Sequence, residues 1–383
     1  MNIYNNIRPL HIGKFVTPPY GGVEAHVDTL LRSLLPDIRG KLVAGESPML
    51  DAVSYSELPY RVLTAKSFGK FASATMSPGV VIVARKEFKS GRCNLLHIHS
   101  PNPWGDVVAL TTSRDVPVVM SWHSDIVRQR KLMKIYRHIQ RRVLDRVDKI
   151  IVFTPKHYSS SEQLHQINVE SKIVHVPMGI DFDLLDKKNA DQALTSKIDD
   201  FSQGRPVLLT VGRHVYYKGY SYLISALSKI KSDAVLVMIG SGVLSDSLKA
   251  QAVELGLNKR ILFLGEVDSP KLVSAFHRCD LFCLPSIEPS EAFGIASAEA
   301  MACGKPTVVC ELNNGVNYLN KNGETGITVM PRNVEALANA IDVLIFDDAL
   351  RSCMGLAASK WVRNEFSSNA MKNGTIGVYQ SLI

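Results

Sequence analysis

Several features that would settle the class of a protein at once are scarce or missing. The chain has only six cysteines in 383 residues, and none of Cys93, Cys279, Cys283, Cys303, Cys310 and Cys353 forms a Cys-x-x-Cys pair. Five of them fall in apolar segments, where a thiol behaves as a small hydrophobe, so neither a zinc site nor a disulfide framework is implied. Long apolar runs are missing too: stretches such as residues 80–84 and 235–239 are far short of the roughly 18 residues that span a bilayer. The first residues lack the charged head, apolar middle and small-residue cleavage site of a secretory signal, so a cytosolic protein is expected. Neither Gly21-Gly22 nor Gly240-Ser241-Gly242 continues as G-x-G-x-x-G, which disfavours a nicotinamide fold. No nucleic-acid module is recognisable, and the aromatics do not interleave with basic residues as a stacking platform requires. Internal repeats and low-complexity tracts are absent.

What is present is globular. With 46% apolar and 21% charged residues, disorder and collagen-like sequence are excluded. A chain this long outgrows one hydrophobic core, so two domains and one cleft are expected. The net charge of +8 is uneven: through residue 182 there are 24 Lys plus Arg against 15 Asp plus Glu, and beyond it 20 against 21. A basic half beside a neutral one points to an anionic partner, either a membrane surface or a phosphorylated substrate.

Short β-branched runs alternate with segments of helical period, the pattern of parallel sheets with crossover helices. Strands are expected at 10–15, 40–44, 80–83, 95–99, 116–121, 149–154 and 173–176, then at 206–211, 234–239, 261–264, 281–284 and 307–309. Two doubly wound α/β units follow, with the boundary at about residue 200, after the polar helix and linker of 183–204.

Three constellations carry chemistry. Gly21-Gly22 lies between the first strand and a helical run from Glu24. Glycines there let backbone N–H groups approach an anion, a use that stands beside an ordinary strand-to-helix turn. Gly212-Arg213-x4-Lys218-Gly219 follows another strand; Arg213 offers a planar fork and Lys218 a mobile charge, suited to a diphosphate unless both are solvated loop cations. Glu291-Ala292-Phe293-Gly294-Ile295 leads into a helix that carries Glu299 eight positions on, about two turns away on a similar face. An acid inside that small, apolar helix needs a partner.

Together with Ser121-Trp122-His123-Ser124-Asp125, these elements resemble, in order along nearly the whole chain, the retaining GT-B glycosyltransferases of family 4. The resemblance implies two Rossmann-like doubly wound domains facing a central cleft. Residues 1–200 would form the acceptor-side domain, 201–362 the nucleotide-sugar domain, and 363–383 a last helix crossing back to the first. It implies a nucleotide-diphosphate-sugar donor and no metal or other cofactor. By matching position, Gly21 and Gly22 contact the donor, Arg213 and Lys218 bind its diphosphate, and Glu299 binds the ribose. Glu291 and the N–H groups of Phe293, Gly294 and Ile295 hold the transferred sugar, with His123 beside it. No D-x-D-type carboxylate pair follows a strand where it would hold a divalent ion near the phosphates. The likeness is to bacterial mannosyltransferases that use GDP-mannose to extend a polyprenyl-diphosphate-linked glycan of O-antigen or exopolysaccharide. UDP-glucose, UDP-galactose or UDP-N-acetylglucosamine would meet the same motif residues. A non-catalytic sugar-nucleotide-binding scaffold is the rival from another class, and a phosphorylase or epimerase of the same fold lacks its own signatures.

His97 and His99 share one face of a strand. With His123 they form a conceivable metal triad, but no carboxylate partner is evident, and the family likeness places them near the acceptor. Residues 128–144 read as an amphipathic helix: Leu132, Tyr136, Ile139, Val143 and then Val147 form a stripe, and seven cations, among them Arg128, Arg130, Lys131 and Lys134, cover the rest. That helix either packs with a solvated basic face or also meets anionic lipid or a lipid-diphosphate acceptor, which suggests a peripheral protein on the inner membrane face, working beside other glycan-assembly enzymes.

Overall fold

The computed structural model describes residue 4 and residues 6–15, 21–46, 57–71, 74–126, 130–165, 167 and 169–383; side chains of 70–71, 74–75 and 130–135 are outside that description. The chain forms two compact units, Met1–Gly179 with Phe366–Ile383, and Ile180–Glu365.

The first unit contains β1 (Pro9–Ile12), α1 (Gly22–Leu34), β2 (Lys41–Gly45), β3 (Arg61–Ala65), β4 (Lys70–Phe71), β5 (Ala74–Thr75), α2 (Gly79–Lys89), β6 (Leu95–Ser100), α3 (Pro103–Thr111), β7 (Val118–Trp122), α4 (Arg130–Arg146), β8 (Lys149–Val152), α5 (Pro155–Ser159), α6 (Glu162–His165) and β9 (Ile173–His175). Its parallel sheet runs β3-β2-β1-β6-β7-β8-β9, with β4 and β5 a separate antiparallel pair. The second unit contains α7 (Gln192–Ser202), β10 (Val207–Val211), α8 (Tyr220–Leu227), β11 (Val235–Ile239), α9 (Ser245–Glu254), β12 (Ile261–Gly265), α10 (Ser269–Arg278), β13 (Leu281–Leu284), α11 (Ile295–Ala302), β14 (Thr307–Cys310), α12 (Gly315–Leu319), β15 (Gly326–Val329), α13 (Val334–Phe346) and α14 (Asp348–Glu365). Its sheet runs β12-β11-β10-β13-β14-β15. The last helix, α15 (Ser368–Gln380), belongs to the first unit and packs on α1.

The central strands are short apolar runs buried on both faces, as parallel strands under crossover helices must be. Leu10, Ile12, Leu96, Ile98, Val118, Met120 and Ile150 form one core; Leu208, Leu236, Met238, Leu281, Cys283 and Val308 form the other. Each sheet reverses its order once, between β1 and β6 and between β10 and β13. Outside the carboxyl ends of strands at such a switch point is where open α/β sheets bind ligands.

Three expectations are corrected. Residues 80–83 are not a strand: they lie in α2, whose buried positions Val80, Ala84 and Glu87 keep helical spacing while Ile82 is 72% exposed. Pro78, with its fixed φ, starts that helix, and buried Glu87 is paired to Lys41 and Arg92 at 2.7 and 2.8 Å. Residues 61–65 and 326–329 are strands the pattern missed, and both are sheet edges, where one side is less buried. Residues 180–200 fall in the second unit rather than the first. The reason is that α7 packs on α10: the Ser274 hydroxyl donates to the Asp191 carbonyl at 2.8 Å, His277 Nε2 meets the Leu185 carbonyl at 2.8 Å, and Arg278 pairs with Asp199.

Candidate active site

In the second unit, the loops after β10 and β13 meet at the switch point. The loop 212–219 leaves β10 with its backbone bonded to the loop after β11, Gly212 N–H to the Ile239 carbonyl at 2.9 Å and His214 N–H to that of Ser241 at 2.8 Å. Gly240-Ser241-Gly242, which failed the dinucleotide pattern, is thus a support for this loop. At the far end Gly219 has φ +68°, and a Cβ there would collide with the Pro285 carbonyl oxygen, so only glycine brings Lys218 this close to the end of β13.

Lys218 Nζ and Glu291 Oε2 are 2.5 Å apart, both nearly buried, and the Ser286 hydroxyl donates to the same carboxylate oxygen at 3.0 Å. Burial alone would lower the Lys218 pKa; Glu291, with Tyr220 and Tyr217 nearby, holds it above its ordinary value. The Glu291 backbone is fixed from the other side by Asn314, whose Nδ2 donates to its carbonyl at 2.7 Å. The two residues expected to hold different parts of a ligand therefore hold each other. Arg213 is exposed, and its guanidinium has no hydrogen-bond or ion-pair partner among the described residues.

Gly294, at φ +84°, caps α11, and the N–H groups of Gly294 and Ile295 have no backbone partner among the described residues. Phe293 beside them is 4% exposed. Inside α11, Glu299 is half-buried, and its carboxylate, also without a partner among the described residues, is pushed up to about 7 by burial. Among the described residues, the loops after β10 and β13 and the start of α11 thus offer an exposed guanidinium, a nearly buried cation and two amide donors with no partner, and α11 itself carries a carboxylate with none. Such a set can hold an anion at its centre and hydroxyl groups at its edge.

In the first unit, Gly21 and exposed Gly22 begin α1 as expected; Pro18, Pro19 and Tyr20 of the same loop lie outside the described residues. His123 follows β7. Its loop is locked by Asp125, which accepts from Trp122 Nε1 at 3.0 Å, from the Ser161 hydroxyl at 2.6 Å and from the Gln163 N–H at 3.2 Å. His99 Nδ1 lies 3.2 Å from His123 Nε2. His97 is fully enclosed, with one nitrogen on Tyr379 and the other on Ser121, which leaves none for an acceptor. The triad His97, His99 and His123 does not assemble; the groupings within 4.8 Å are His11, His97, His99 and His26, His99, His123.

Among the membrane-facing candidates, Arg128 lies outside the described residues, and Arg130, Lys131 and Lys134 are placed in α4 by their backbone only. From Tyr136 onward the buried positions of α4 are Gln140, Val143, Leu144 and Arg146, with Tyr136 half-buried and Val147 buried just past the helix end, while Ile139, expected in the stripe, is 41% exposed beside Arg137, Arg141 and Arg142. Gln140 takes the inward position because it bonds Gln163 at 3.0 Å.

Residues 20–184 match the family model described as Glycosyltransferase Family 4, and residues 191–361 match Glycosyl transferases group 1. A D-rhamnosyltransferase, WbpZ, of Pseudomonas aeruginosa is 34% identical over 69% of this chain and 68% of its own length. The chain belongs to glycosyltransferase family 4. An O-antigen chain mannosyltransferase C of Escherichia coli is 27% identical to this glycosyltransferase over 98% of it and 99% of the relative. The solved structure of Anabaena HepE with UDP and glucose superposes with a TM-score of 0.79 at 20% identity, over 98% of this chain and all of that one, which shows the GT-B fold.

Sequence reasoning missed Ser286, Asn314, His11, His26 and Tyr379. A serine just past the β13 pattern was a legible signal for the first. His11 was not legible, since it reaches His97 only through strand pairing, in which the two are register partners.

Proposed function

We propose that this glycosyltransferase moves mannose from GDP-mannose, with retention and without a metal, onto a polyprenyl-diphosphate-linked glycan of the lipopolysaccharide O-antigen or exopolysaccharide type. The observation that carries the reading is the cation pair at the β10 switch point, Arg213 with no partner among the described residues and Lys218 held on Glu291. As the glycosidic bond breaks, the leaving diphosphate gains negative charge, and preorganised cations with the Gly294 and Ile295 N–H groups stabilise that charge more than the ground state. Arg213 and Lys218 bind the diphosphate in the place a divalent ion takes elsewhere. Lys218 is released from Glu291 as it engages phosphate, which frees Glu291 for hydroxyls of the sugar. Glu299 accepts from the ribose hydroxyls, and Gly21 and Gly22 approach the donor from α1. The acceptor hydroxyl attacks C1 on the face the phosphate leaves; the C1–O bond to phosphate breaks, the new C1–O bond forms, and the hydroxyl proton passes to the departing phosphate oxygen. No protein nucleophile is needed, and His123 lies beside the sugar.

The mannosyl donor is supported by the end-to-end likeness to the O-antigen chain mannosyltransferase. Attachment to the inner face of the inner membrane is supported by the basic face of α4; among the described residues no helix is long and apolar enough to cross a membrane. The test is a donor panel of GDP-mannose, UDP-glucose, UDP-galactose and UDP-N-acetylglucosamine with a polyprenyl-diphosphate glycan, with and without EDTA, followed by anomeric analysis. Transfer from GDP-mannose in chelator with an α-linked product is expected. Transfer from a UDP-sugar alone removes the donor assignment, loss in EDTA restored by magnesium or manganese removes the metal-free one, and no transfer from any donor favours a scaffold.

A further inference from the structure

Beneath the carboxyl ends of β1, β6 and β7, four imidazoles are strung with a phenol into one chain of contacts. Ser121 Oγ lies 2.8 Å from His97 Nε2, His97 Nδ1 is 2.6 Å from the Tyr379 hydroxyl, and that hydroxyl is 3.3 Å from His11 Nε2. His11 Nδ1 is then 3.1 Å from His99 Nε2, and His99 Nδ1 is 3.2 Å from His123 Nε2. Three strands and α15 contribute. His11, His97, His99 and Tyr379 have no exposed surface, whereas His123 keeps 6%. Burial keeps each ring neutral: it lowers His11 to about 3 and, helped by neighbouring imidazoles, sends His97, His99 and His123 well below 6.5. A neutral imidazole has one N–H and one lone pair, so each ring passes on to the next the role it is given.

The phenol has a single proton, and only two arrangements satisfy every link while giving that buried proton an acceptor. If Tyr379 donates to His97 Nδ1, then His97 Nε2–H donates to Ser121, His11 Nε2–H to the Tyr379 oxygen, His99 Nε2–H to His11, and His123 Nε2–H to His99, which leaves His123 Nδ1 bare. If Tyr379 donates to His11 instead, all the protons reverse and His123 Nδ1 carries the hydrogen. The two contacts of the hydroxyl are unequal. At 2.6 Å the His97 contact has the length of an O–H donor bond, and at 3.3 Å the His11 contact is a slack N–H···O bond.

We propose that this chain fixes the tautomer of His123, with Tyr379, His97, His11 and His99 as positioning residues, so that His123 presents an unprotonated Nδ1 to the ligand. Among the eight ring nitrogens of His97, His11, His99 and His123, that Nδ1 is the one with no hydrogen-bond partner among the described residues. On the reading of function above, on which this last step rests, it accepts a hydrogen bond from a hydroxyl of the transferred sugar, which the opposite tautomer does not do.

The test uses the intact protein labelled with 15N-histidine, because the 15N shift of each ring nitrogen tells a bare nitrogen from a protonated one. The His123 signals are assigned by their loss in His123→Asn. The wild type should show His123 bare at Nδ1. Tyr379→Phe removes one oxygen and would leave His11 Nε2–H buried without an acceptor, so the chain should reverse and the His123 Nδ1 signal should move to the protonated position. Ser121→Ala orphans His97 Nε2–H at the other end and should move the same signal, although neither Tyr379 nor Ser121 bonds the His123 ring. Melting curves confirm that each variant is folded, and the second variant decides if the first is not. His123 protonated at Nδ1 in the wild type overturns the proposal, as does an unmoved signal in the folded variants, or stoichiometric zinc in the isolated protein bound through His99 and His123. No donor is present in the measurement, so an error in the donor assignment leaves its result untouched.

Discussion

At the scale of single residues the site holds two carboxylates in opposite situations. Glu291 is paired and hydrogen-bonded, by Lys218 and Ser286, while Glu299 sits half-buried with burial alone acting on it. Removing one member of a nearly buried pair strands the other charge, at a cost of about 3 kcal/mol. Lys218→Met and Glu291→Gln should each lower the melting temperature, and the double variant should recover most of the loss; additive losses would show that the pair contributes nothing to the resting fold. For Glu299 the measurable quantity is pH dependence. Its native pKa of about 7 means that the carboxylate is mostly protonated a unit below neutrality, and the ionised form is the better acceptor for ribose hydroxyls. The apparent donor KM should therefore rise as pH falls from 8 to 6, and Glu299→Gln should raise KM at pH 8 and flatten the profile. A profile that keeps its slope in the variant would place the titrating group elsewhere.

At the scale of elements, the parts legible in the sequence were those whose burial pattern is extreme. Central strands such as 207–211, with Thr210 its one polar residue, and the wholly apolar 235–239 are buried nearly throughout, and the motif loops follow them directly. Residues 80–83 misled because four β-branched or apolar residues in a row fit a buried strand as well as a helix turn, and only the continuation through Ala84 and Glu87 distinguishes them. In α4 the pattern chose Ile139 over Gln140, since a glutamine that turns inward to bond Gln163 looks polar in any sequence scale. That exchange leaves Ile139 on the solvent side among Arg137, Arg141 and Arg142. Near an anionic surface each of those arginines contributes on the order of 1 kcal/mol at low salt. Replacing all three with Gln should weaken sedimentation with anionic vesicles by roughly a hundredfold, with less effect as salt is raised. Equal binding of the variant and the wild type would leave α4 as a packed helix with a solvated face.

At the scale of the whole molecule, the two units share an architecture but differ in how many imidazoles they bury. Of the eleven histidines only His214 and His277 fall in the second unit, where His214 alone is buried, whereas His11, His26, His97, His99, His123 and His157 are all buried in the first. Desolvation lowers His11 and His26 to about 3 and His157 to about 4, and the other three also lie well below 6.5. The sign follows from linkage: these native pKa values are depressed below the unfolded one, so their stabilising effect is complete above pH 6.5. As pH falls below 6.5, the unfolded chain takes up protons that the native first unit refuses. Between pH 7.5 and 5.5 each such histidine removes about 1.4 kcal/mol, and six of them about 8 kcal/mol, a loss that buried Asp106 of the same unit, pushed up to about 7, offsets in part because its native carboxyl takes up a proton before the unfolded one does. Nothing of this was legible in composition, because eleven histidines carry no information until the folded unit encloses six of them. Hydrogen exchange, corrected for the intrinsic rate at each pH, should therefore show peptides of the first unit, including those of α15, losing protection between pH 7 and 5.5. Peptides from 180–365, which hold one buried imidazole, that of His214, should lose far less over the same range. Loss of protection in both units together, and only below pH 4, would mean that the six imidazoles do not resist protonation in the native state, and with it would go the neutral chain on which the His123 tautomer depends.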